Sequence, residues 1–466
     1  MPPDEALTYP GLPPRVADVL GTLIGAGHEA ALVGGSVRDR VRGGEGTDGD
    51  WDAATSALPE EVAALFPGAS WENRFGTVTL GGAPEVQVTS YRTEAGYRDR
   101  RRPDEVRFGA SLVDDLARRD FTINAIAWLP ADLEAGMGRV VDPFGGRADL
   151  EAGLLRTVGD PTERFEEDAL RLVRAARFAA RFGLTIDHAT EAAIRRLAPT
   201  VGGVSGERVR DELFRMLAAD GRPSDAIRLL ESLGLLEVLI PELAALRGVP
   251  QSKAVPGDAL DHSLAALDAA PPDRPRPVVR IAALLHDLGK ATTGSGGHFI
   301  GHEVVGAVLA EGILGRLRVP GADAEQVTHA IRNHMYAYDR AWTDAAVRRF
   351  IRRLQPIGTG ILFALRRADN AASGVGPAGE ANQAELERRI AVELEGHPDL
   401  LRRSRLSIDG HALQRELGLA PGPRVGRILD RLMELVLDDP ARNRREVLLD
   451  IGRRIDAGED PDRADG

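Results

Sequence analysis

Apolar positions recur every three to four residues along PPRVADVLGTLIGAG (13–27), which predicts an amphipathic helix closed by glycine. EAALVGG (29–35) is a short apolar run and predicts a buried strand, followed by a short helix over VRDRVRG (37–43). DGDWDAAT (48–55) reads as another strand. GTVTLGG (76–82) and PEVQVTSYR (84–92) alternate apolar and polar residues around a Gly-Gly-Ala-Pro turn, the pattern of a β-hairpin. From about residue 159 onward the periodicity is almost wholly helical. GVPQSKAVPGD (248–258) and APPDRPRP (270–277) punctuate it, and the second reads as a loop inside a helical segment. The pattern therefore predicts an α+β chain. A head with a small mixed sheet covers 1–158, a helical neck and body 159–246, a helical domain 247–395 and a helical tail 396–456. A polar segment over 457–466 is expected to be disordered.

Composition narrows the class. At 466 residues the chain has room for about three domains, and 43% apolar and 28% charged residues are globular values. The absence of cysteine fits a reducing compartment and excludes disulfides and thiolate zinc sites. No apolar run approaches the roughly 20 residues of a membrane span, and the N-terminus MPPDEALTYPG lacks a signal-peptide pattern. A cytoplasmic protein without a membrane partner is expected. The net charge of −12 argues against a coat of non-specific nucleic-acid-binding charge. Local basic clusters remain at 98–102 (RDRRR), 401–405 (LRRSR) and along 171–183. In the last, Arg171, Arg174, Arg177 and Arg181 step by three and four and so share one helix face. A solvated face and a nucleic-acid backbone contact both fit that stripe.

Three features carry candidate chemistry. Asp48, Asp50 and Asp52 alternate, so in a strand their carboxylates share a face and repel unless a cation lies between them. In LVGGSVRDRV, Gly34 and Gly35 allow a close backbone approach before a helix start, and Arg38 lies one turn further on, an arrangement suited to phosphate. Together they suggest a metal–nucleotide site. Further along, six of the ten histidines fall between 262 and 334, with His286 and Asp287 adjacent at the end of an apolar helix. Buried imidazole and carboxylate side by side both need partners, and such ligands suit Mn, Fe, Ni, Zn or Mg.

LVGGSVRD, DWDAAT, RFGTVT, RRDFTINAIAW and GDPTERFEEDALRLVRAARFAARFG, in this order across roughly 28–245, resemble the motifs of the class II tRNA nucleotidyltransferase and bacterial poly(A) polymerase family. The resemblance implies a template-independent enzyme that adds C, C and A to the 3′ end of tRNA from CTP and ATP. It places the Mg²⁺-binding catalytic pair at Asp50 and Asp52, with Asp48 outside it. A third carboxylate found in many relatives is replaced by Gln87, with Glu85 as the nearby substitute. Nucleotide binding is implied for Gly34, Gly35, Ser36, Arg38, Arg119, Asp120, Asn124, Asp168, Arg171 and Arg174, with Arg119, Asp120 and Asn124 at the ribose. Asp168 and Arg171, three apart on one expected helix, would read the base. Cytosine and adenine both offer an amino donor beside a ring-nitrogen acceptor, which a carboxylate and a guanidinium complement; guanine and uracil reverse it. The alternative is a helix salt bridge. YRTEAGYRDRRRPDEVRFG (91–109) resembles the mobile loop of CCA-adding and A-adding members.

The order His262, His286-Asp287, His302, His334, Asp369 resembles the HD phosphohydrolase superfamily. It implies a site for a divalent transition metal (Ni, Mn, Fe or Zn) or Mg²⁺ with phosphatase or 2′,3′-cyclic phosphodiesterase activity on RNA ends. His298 and His329 match no expected ligand. The tail is expected to touch the tRNA elbow while the head holds the acceptor end. Two rival readings are a poly(A) or A-adding polymerase on the same fold, and an HD phosphohydrolase whose head merely binds RNA.

Overall fold

The computed structural model describes residues 6–9, 11–44, 51–72, 76–95, 105–251, 256–273, 275–294, 298–403 and 405–459. Asp48 and Asp50, the basic run 98–102 and the tail from 460 onward lie outside the described residues. Among the described residues no helix is long and apolar enough to cross a membrane. The chain divides into two compact units, Met1–Ala219 with Asp225–Pro241 and Asp220–Ser224 with Glu242–Gly466.

The first unit is built on strands β1 (Ala6–Thr8), β2 (Ala30–Val33), β3 (Trp51–Thr55), β4 (Ser70–Glu72), β5 (Thr77–Leu80), β6 (Val86–Ser90), β7 (Arg92–Ala95), β8 (Glu105–Phe108), β9 (Ala127–Asp132) and β10 (Met137–Val141). Eight of them form one sheet in the order β1-β10-β9-β2-β3-β6-β5-β4. Only the β3–β6 pair is parallel, and its register sets Asp52 abreast of Gln87. The expected hairpin is β5–β6, with Val78 opposite Val88. The pattern gave no warning of β9 and β10; β9 pairs with β2 and β10 with β9, which widens the sheet. The stretch 91–109, expected to be a loop throughout, carries the antiparallel ribbon β7–β8 at its flanks; 96–104 lie outside the described residues.

Strand alternation sorts the two faces. Trp51, Ala53, Val86 and Val88 pack under the helices Pro14–Gly25 and Pro59–Leu65, which bury Val16, Leu20, Leu23 and Val62 there. Ala31, Val33 and Ala54 point the other way, against Leu112, Leu116 and Ala125. Asp52 shares the Ala54 face by period two, so the packing that buries Trp51 and Ala53 aims the carboxylate toward the opposite layer.

Helices follow, as the periodicity requires, with the two-residue strand pair Leu154–Leu155 and Thr185–Ile186 among them. In the second unit, Ala259–Ala269, Val278–Leu285, His302–Arg316, Gly321–Asn333 and Gly360–Ala372 surround a buried polar centre. Of the expected loop between the first two, 270–273 and 275–277 are described and carry no helix or strand. Asp344–Arg353, Pro377–Gly396, Gly410–Leu417, Pro423–Asp438 and Arg445–Asp456 complete it, with Leu413, Leu432, Val436 and Leu448 fully buried among the last helices.

Candidate active sites

In the first unit β2 runs into Gly34, which has φ +72° and stands before the helix Gly35–Val41. A Cβ there would sit 3.1 Å from Arg119 Nη1 and 3.4 Å from Asp52 Oδ2. Glycine is thus required both by the backbone and by the space, and Gly34, Asp52 and Arg119 are brought together. Arg119 follows the helix Leu112–Ala117, whose start is fixed by Ser111 and Asp114 in a reciprocal cap. Its Nη1 reaches the Asn124 carbonyl at 3.4 Å. Ser36 is buried beside Gly35.

Arg38 is buried and committed inward. It donates from Nη1 to Asn124 Oδ1 at 2.7 Å and from Nε to Asp39 Oδ1 at 2.8 Å, and its guanidinium lies 4.3 Å from the Phe182 ring centre. Asn124 in turn donates from Nδ2 to Asp120 Oδ1 at 3.0 Å. Arg174 donates to Asp120 Oδ2 at 2.6 Å and also faces Glu212, which accepts from Arg177 Nε at 2.5 Å. Burial alone would raise the Asp120 carboxyl, but Arg174, Asn124 and Arg171 outweigh it and hold the group at about 2. Asp120 is therefore an anion at neutral pH.

Along the arginine stripe, neighbouring elements supply carboxylate partners, and Arg181 stays exposed. Arg171 pairs with Glu167 at 2.6 Å, Arg174 with Asp120 and Glu212, and Arg177 with Glu212, while Arg181 lies over the Phe182 ring. Partners from 120, 167 and 212 turn three of the four into an internal ionic network.

Asp168 and Arg171 are not on one helix. Pro161–Glu167 ends at Asp168, which has extended φ/ψ, and Leu170–Phe182 starts after it. Asp168 Oδ1 accepts from Leu170 N at 3.1 Å, capping the second helix. Both its oxygens accept from Arg208, at 3.0 and 2.6 Å. Arg171 donates instead to Glu167, to the Arg164 carbonyl at 2.9 Å and to the Arg118 carbonyl at 3.0 Å. The helix salt bridge between Asp168 and Arg171 is thus absent, and Arg171 is set beside the Arg119 segment. Arg208 and Glu212 gave no signal in the sequence, being 40 residues from Asp168 and 38 and 35 from Arg174 and Arg177. At β6, Gln87 donates to Glu85 Oε1 at 3.5 Å, so an amide and not a carboxylate stands abreast of Asp52.

In the second unit the six expected ligands converge. His262 Nε2 is 3.0 Å from Asp369 Oδ1 and 3.5 Å from Asp287 Oδ2. His286 Nε2 is 3.2 Å from Asp287 Oδ2 and 3.8 Å from Asp369 Oδ1. His302 Nε2 lies 3.3 Å from both Asp287 Oδ1 and His334 Nε2. The apolar helix Val278–Leu285 delivers His286 and Asp287 at its end, as expected. Gly289 lets the next helix close on them, since a Cβ there would fall 2.1 Å from the His302 carbonyl.

Three of the rings, His286, His302 and His334, place Nδ1 at 2.8, 2.7 and 2.7 Å from the carbonyls of Ala283, Phe299 and Ile331. Donation from Nδ1 leaves each Nε2 lone pair turned inward. Lone pairs facing each other across 3.3 Å, with two carboxylates among them, fit a bound divalent cation. Burial pushes His334 down to about 3, and Asp287 is held well below the usual carboxylate range because His286, His302 and Lys290 outweigh its burial. Neutral imidazole and ionised carboxylate are the forms a metal ligates. Two overlapping triads, His262/His286/Asp369 and His286/Asp287/His334, could each hold an ion.

The cluster opens into a 530 Å³ cavity lined by Asp287, Lys290, His302, Arg366 and Asp369, with Ile300 and Met335 exposed at its rim. Lys290 Nζ bonds Asp287 Oδ2 at 2.5 Å and Gln251 Oε1 at 2.6 Å. Lys290 follows Asp287 by one turn in HDLGK, a spacing that brings the two side chains together. His298 lines the same cavity, and His329 lies on Gly321–Asn333, in neither triad.

Comparison with known proteins adds three domain matches. Residues 30–156 match the poly A polymerase head domain, 183–246 a probable RNA and SrmB-binding site of polymerase A, and 261–392 the HD domain. An A-adding tRNA nucleotidyltransferase of Deinococcus radiodurans is 37% identical over 434 residues, 87% of this chain and 91% of that protein. A CCA-adding enzyme of Geobacillus kaustophilus is 45% identical over 221 residues, 47% of this chain and 52% of that enzyme. The crystal structure of the Bacillus stearothermophilus CCA-adding enzyme in complex with CTP superposes with a TM-score of 0.67 at 26% identity, covering 95% of this chain and 98% of that one.

Proposed function

This chain belongs to the tRNA nucleotidyltransferase family, and we propose that it completes the 3′ end of tRNA by adding CCA from CTP and ATP without a template. The observation that carries the reading is the convergence of Gly34, Asp52 and Arg119 at one point. It continues through Arg38, Asn124, Asp120 and Arg174 toward the Asp168–Arg171 segment.

Asp52, with Asp50, would hold Mg²⁺, which supplies charge stabilisation for attack of a 3′-hydroxyl on the α-phosphate. The amide of Gln87 abreast of Asp52 supports a site with two aspartates. Gly34 and Gly35 leave room for the triphosphate, with Ser36 and Arg38 behind them. Arg119, Asp120 and Asn124 orient the ribose. The free lone pair of an Asp168 already fixed by Arg208, and the remaining N–H groups of Arg171, would face the base edge. The helix break at Asp168 lets the carboxylate be set by Arg208, independently of Arg171. The domain bounds proposed are those the pattern predicts: head 1–158, neck and body 159–246, HD domain 247–395 and tail 396–456, with the tail proposed to meet the tRNA elbow.

Within the HD domain, His262, His286, Asp287, His302, His334 and Asp369 would hold a transition metal or Mg²⁺, which activates water toward a phosphoester. Lys290 and Arg366 supply positive charge in the same cavity. The activity proposed is hydrolysis of 2′-, 3′- or 2′,3′-cyclic phosphate at RNA ends. A second reading, addition of A alone to tRNA already ending in CC, is favoured by the match across 91% of the Deinococcus radiodurans enzyme. Purified protein offered tRNA ending before CCA, after C or after CC, with each nucleotide separately, decides between them. CTP incorporation on the first substrate supports CCA addition, and ATP incorporation on the last alone supports A addition.

A further inference from the structure

We propose that the apolar rim of the histidine-lined cavity is a nucleobase subsite, so that the site selects its phosphoesters by the nucleoside they carry as well as by the phosphate. This deepens the phosphohydrolase reading of the HD domain and rests on it. The cavity has two chemically distinct parts. Inside stand the buried imidazoles and carboxylates, with Arg366 3.5 Å from Asp369 Oδ2. At the surface stand Ile300, Met335 and Val375, which are 90%, 55% and 37% exposed. The volume of 530 Å³ is within the usual range of small-ligand sites, which join an apolar wall to a few placed polar groups.

The bonds that aim the metal ligands also hold the rim. The Phe299 carbonyl accepts from the His302 backbone N–H at 3.3 Å and lies 2.7 Å from His302 Nδ1, across Gly301 at φ +78°. The Phe299 ring packs over the Lys290 ammonium at 5.4 Å, and Ile300, next in the bend, is turned out to the surface. Met335 follows His334, whose Nδ1 is 2.7 Å from the Ile331 carbonyl and whose own carbonyl accepts from Arg366 Nη1 at 3.1 Å. The Val375 N–H donates at 2.9 Å to the carbonyl of Asn370, the neighbour of Asp369. Apolar side chains set in this way contribute nothing to an ion or to a phosphate. Of the parts of a nucleotide, the base is the one with an apolar face, and a thioether suits an aromatic face. The phosphate end has its own partners. Lys290 is tied to Asp287 and Gln251, while Arg366 lines the cavity with a guanidinium suited to phosphate oxygens. Glu303, the lining carboxylate outside the ligand set, stands 3.7 Å from His302 Nδ1 and turns the phosphate toward Arg366 by repulsion. With the metal centre and Arg366 on the phosphate, the rim is left to cover the base.

The test uses the full chain with Mn²⁺ and compares 2′-AMP with glycerol 2-phosphate, which carries its phosphate on a secondary hydroxyl but has no base. In the double variant Ile300→Ser, Met335→Ser, KM for 2′-AMP should rise about tenfold with kcat unchanged. Glycerol 2-phosphate should keep its wild-type kcat/KM. Ile300→Thr, Met335→Gln is the second, closer-shaped variant, and thermal melts establish that each folds. An RNA oligonucleotide ending in 2′,3′-cyclic phosphate separates the two sources of the base: a loss confined to 2′-AMP assigns the rim to free nucleotides, and a loss that includes the oligonucleotide assigns it to chain ends. A second readout needs no turnover. The chain has no cysteine, so Met335→Cys places a single thiol at the rim. Its alkylation by iodoacetamide should be slowed severalfold by excess 2′-AMP and not by glycerol 2-phosphate. Equal losses on both substrates, an unchanged KM in a folded variant, or alkylation indifferent to 2′-AMP would overturn the rim as a base subsite. A wild-type chain that hydrolyses none of these phosphoesters would overturn the phosphohydrolase reading instead, and protection of the thiol would still decide the rim.

Discussion

At the residue scale, Asp168 carries the sharpest expectation. Its carboxylate is fixed by Arg208 and the Leu170 N–H, so its orientation does not depend on the nucleotide. If it reads the amino group of C and A, Asp168→Ala and Arg171→Ala should each lower kcat/KM for CTP and ATP while leaving UTP and GTP less penalised. Each lost or gained buried pairing is worth about 1–3 kcal/mol, so selectivity should relax by roughly 5- to 150-fold. Relative kcat/KM for the four nucleotides is the measurement, and unchanged ratios would return the pair to a structural role. Arg208→Ala should raise KM for both preferred nucleotides by about tenfold, with Arg208→Lys recovering part of the loss. Asp52→Asn keeps shape and removes charge. It should cost at least about 100-fold in addition, more than the 10–100-fold typical of residues one layer from a metal, with little change in melting temperature. Normal incorporation by Asp52→Asn would remove this carboxylate from the mechanism.

At the scale of elements, the helix Leu170–Phe182 is locked to Gly206–Leu217 through Glu212, which faces Arg174, Arg177 and Arg215. Glu212→Gln leaves buried guanidinium groups without their counter-charge and should destabilise the first unit by about 3–5 kcal/mol, read as a lower denaturation midpoint. Asp120 adds a pH dependence. Its folded carboxyl is depressed to about 2 against about 3.9 in an unfolded chain. The associated stability is therefore present above about pH 4 and is lost as the pH falls toward 2. An acid titration should destabilise wild type in that window more than Asp120→Asn. In the second unit, Val278–Leu285 delivers two ligands at once. Ligands held by separate helices mean that a bound ion cross-links them, so Mn²⁺ or Ni²⁺ should raise the wild-type melting temperature. The double variant His286→Ala, Asp287→Ala should show no such rise. An equal rise in both proteins would place the ion elsewhere.

For the whole molecule, the two proposed catalytic centres lie in separate compact units and share no ligand. The double variant His286→Ala, Asp287→Ala should therefore abolish hydrolysis of 2′,3′-cyclic phosphate and leave nucleotide addition within about twofold, as expected for distant, independent sites. Asp52→Asn should do the reverse. A folded variant that lost both activities would mean the centres are coupled. The sequence by itself determined the division into an α+β head and a helical remainder, because period-two and period-3.6 apolar patterns are local consequences of backbone geometry. Which imidazoles and carboxylates gather in the second unit was implied by the resemblance of their order to the HD superfamily and not by local pattern. The helix that ends at His286-Asp287 is legible from its apolar run, and Nε2 convergence follows from ordinary ring-to-carbonyl bonds one turn back. Only the tertiary structure decided what the arginines do. Arg208 reaches Asp168 across 40 residues, and Glu212 neutralises Arg174 and Arg177 across 38 and 35. Spacing along a helix shows which side chains share a face, but the partner on that face comes from packing between elements. The same holds at the opening aspartates. Alternation places Asp52 on one face of its strand, and only the pairing of β3 with β6 and the approach of Gly34 determine that it stands abreast of Gln87 and close to Gly34, where Arg119 also arrives.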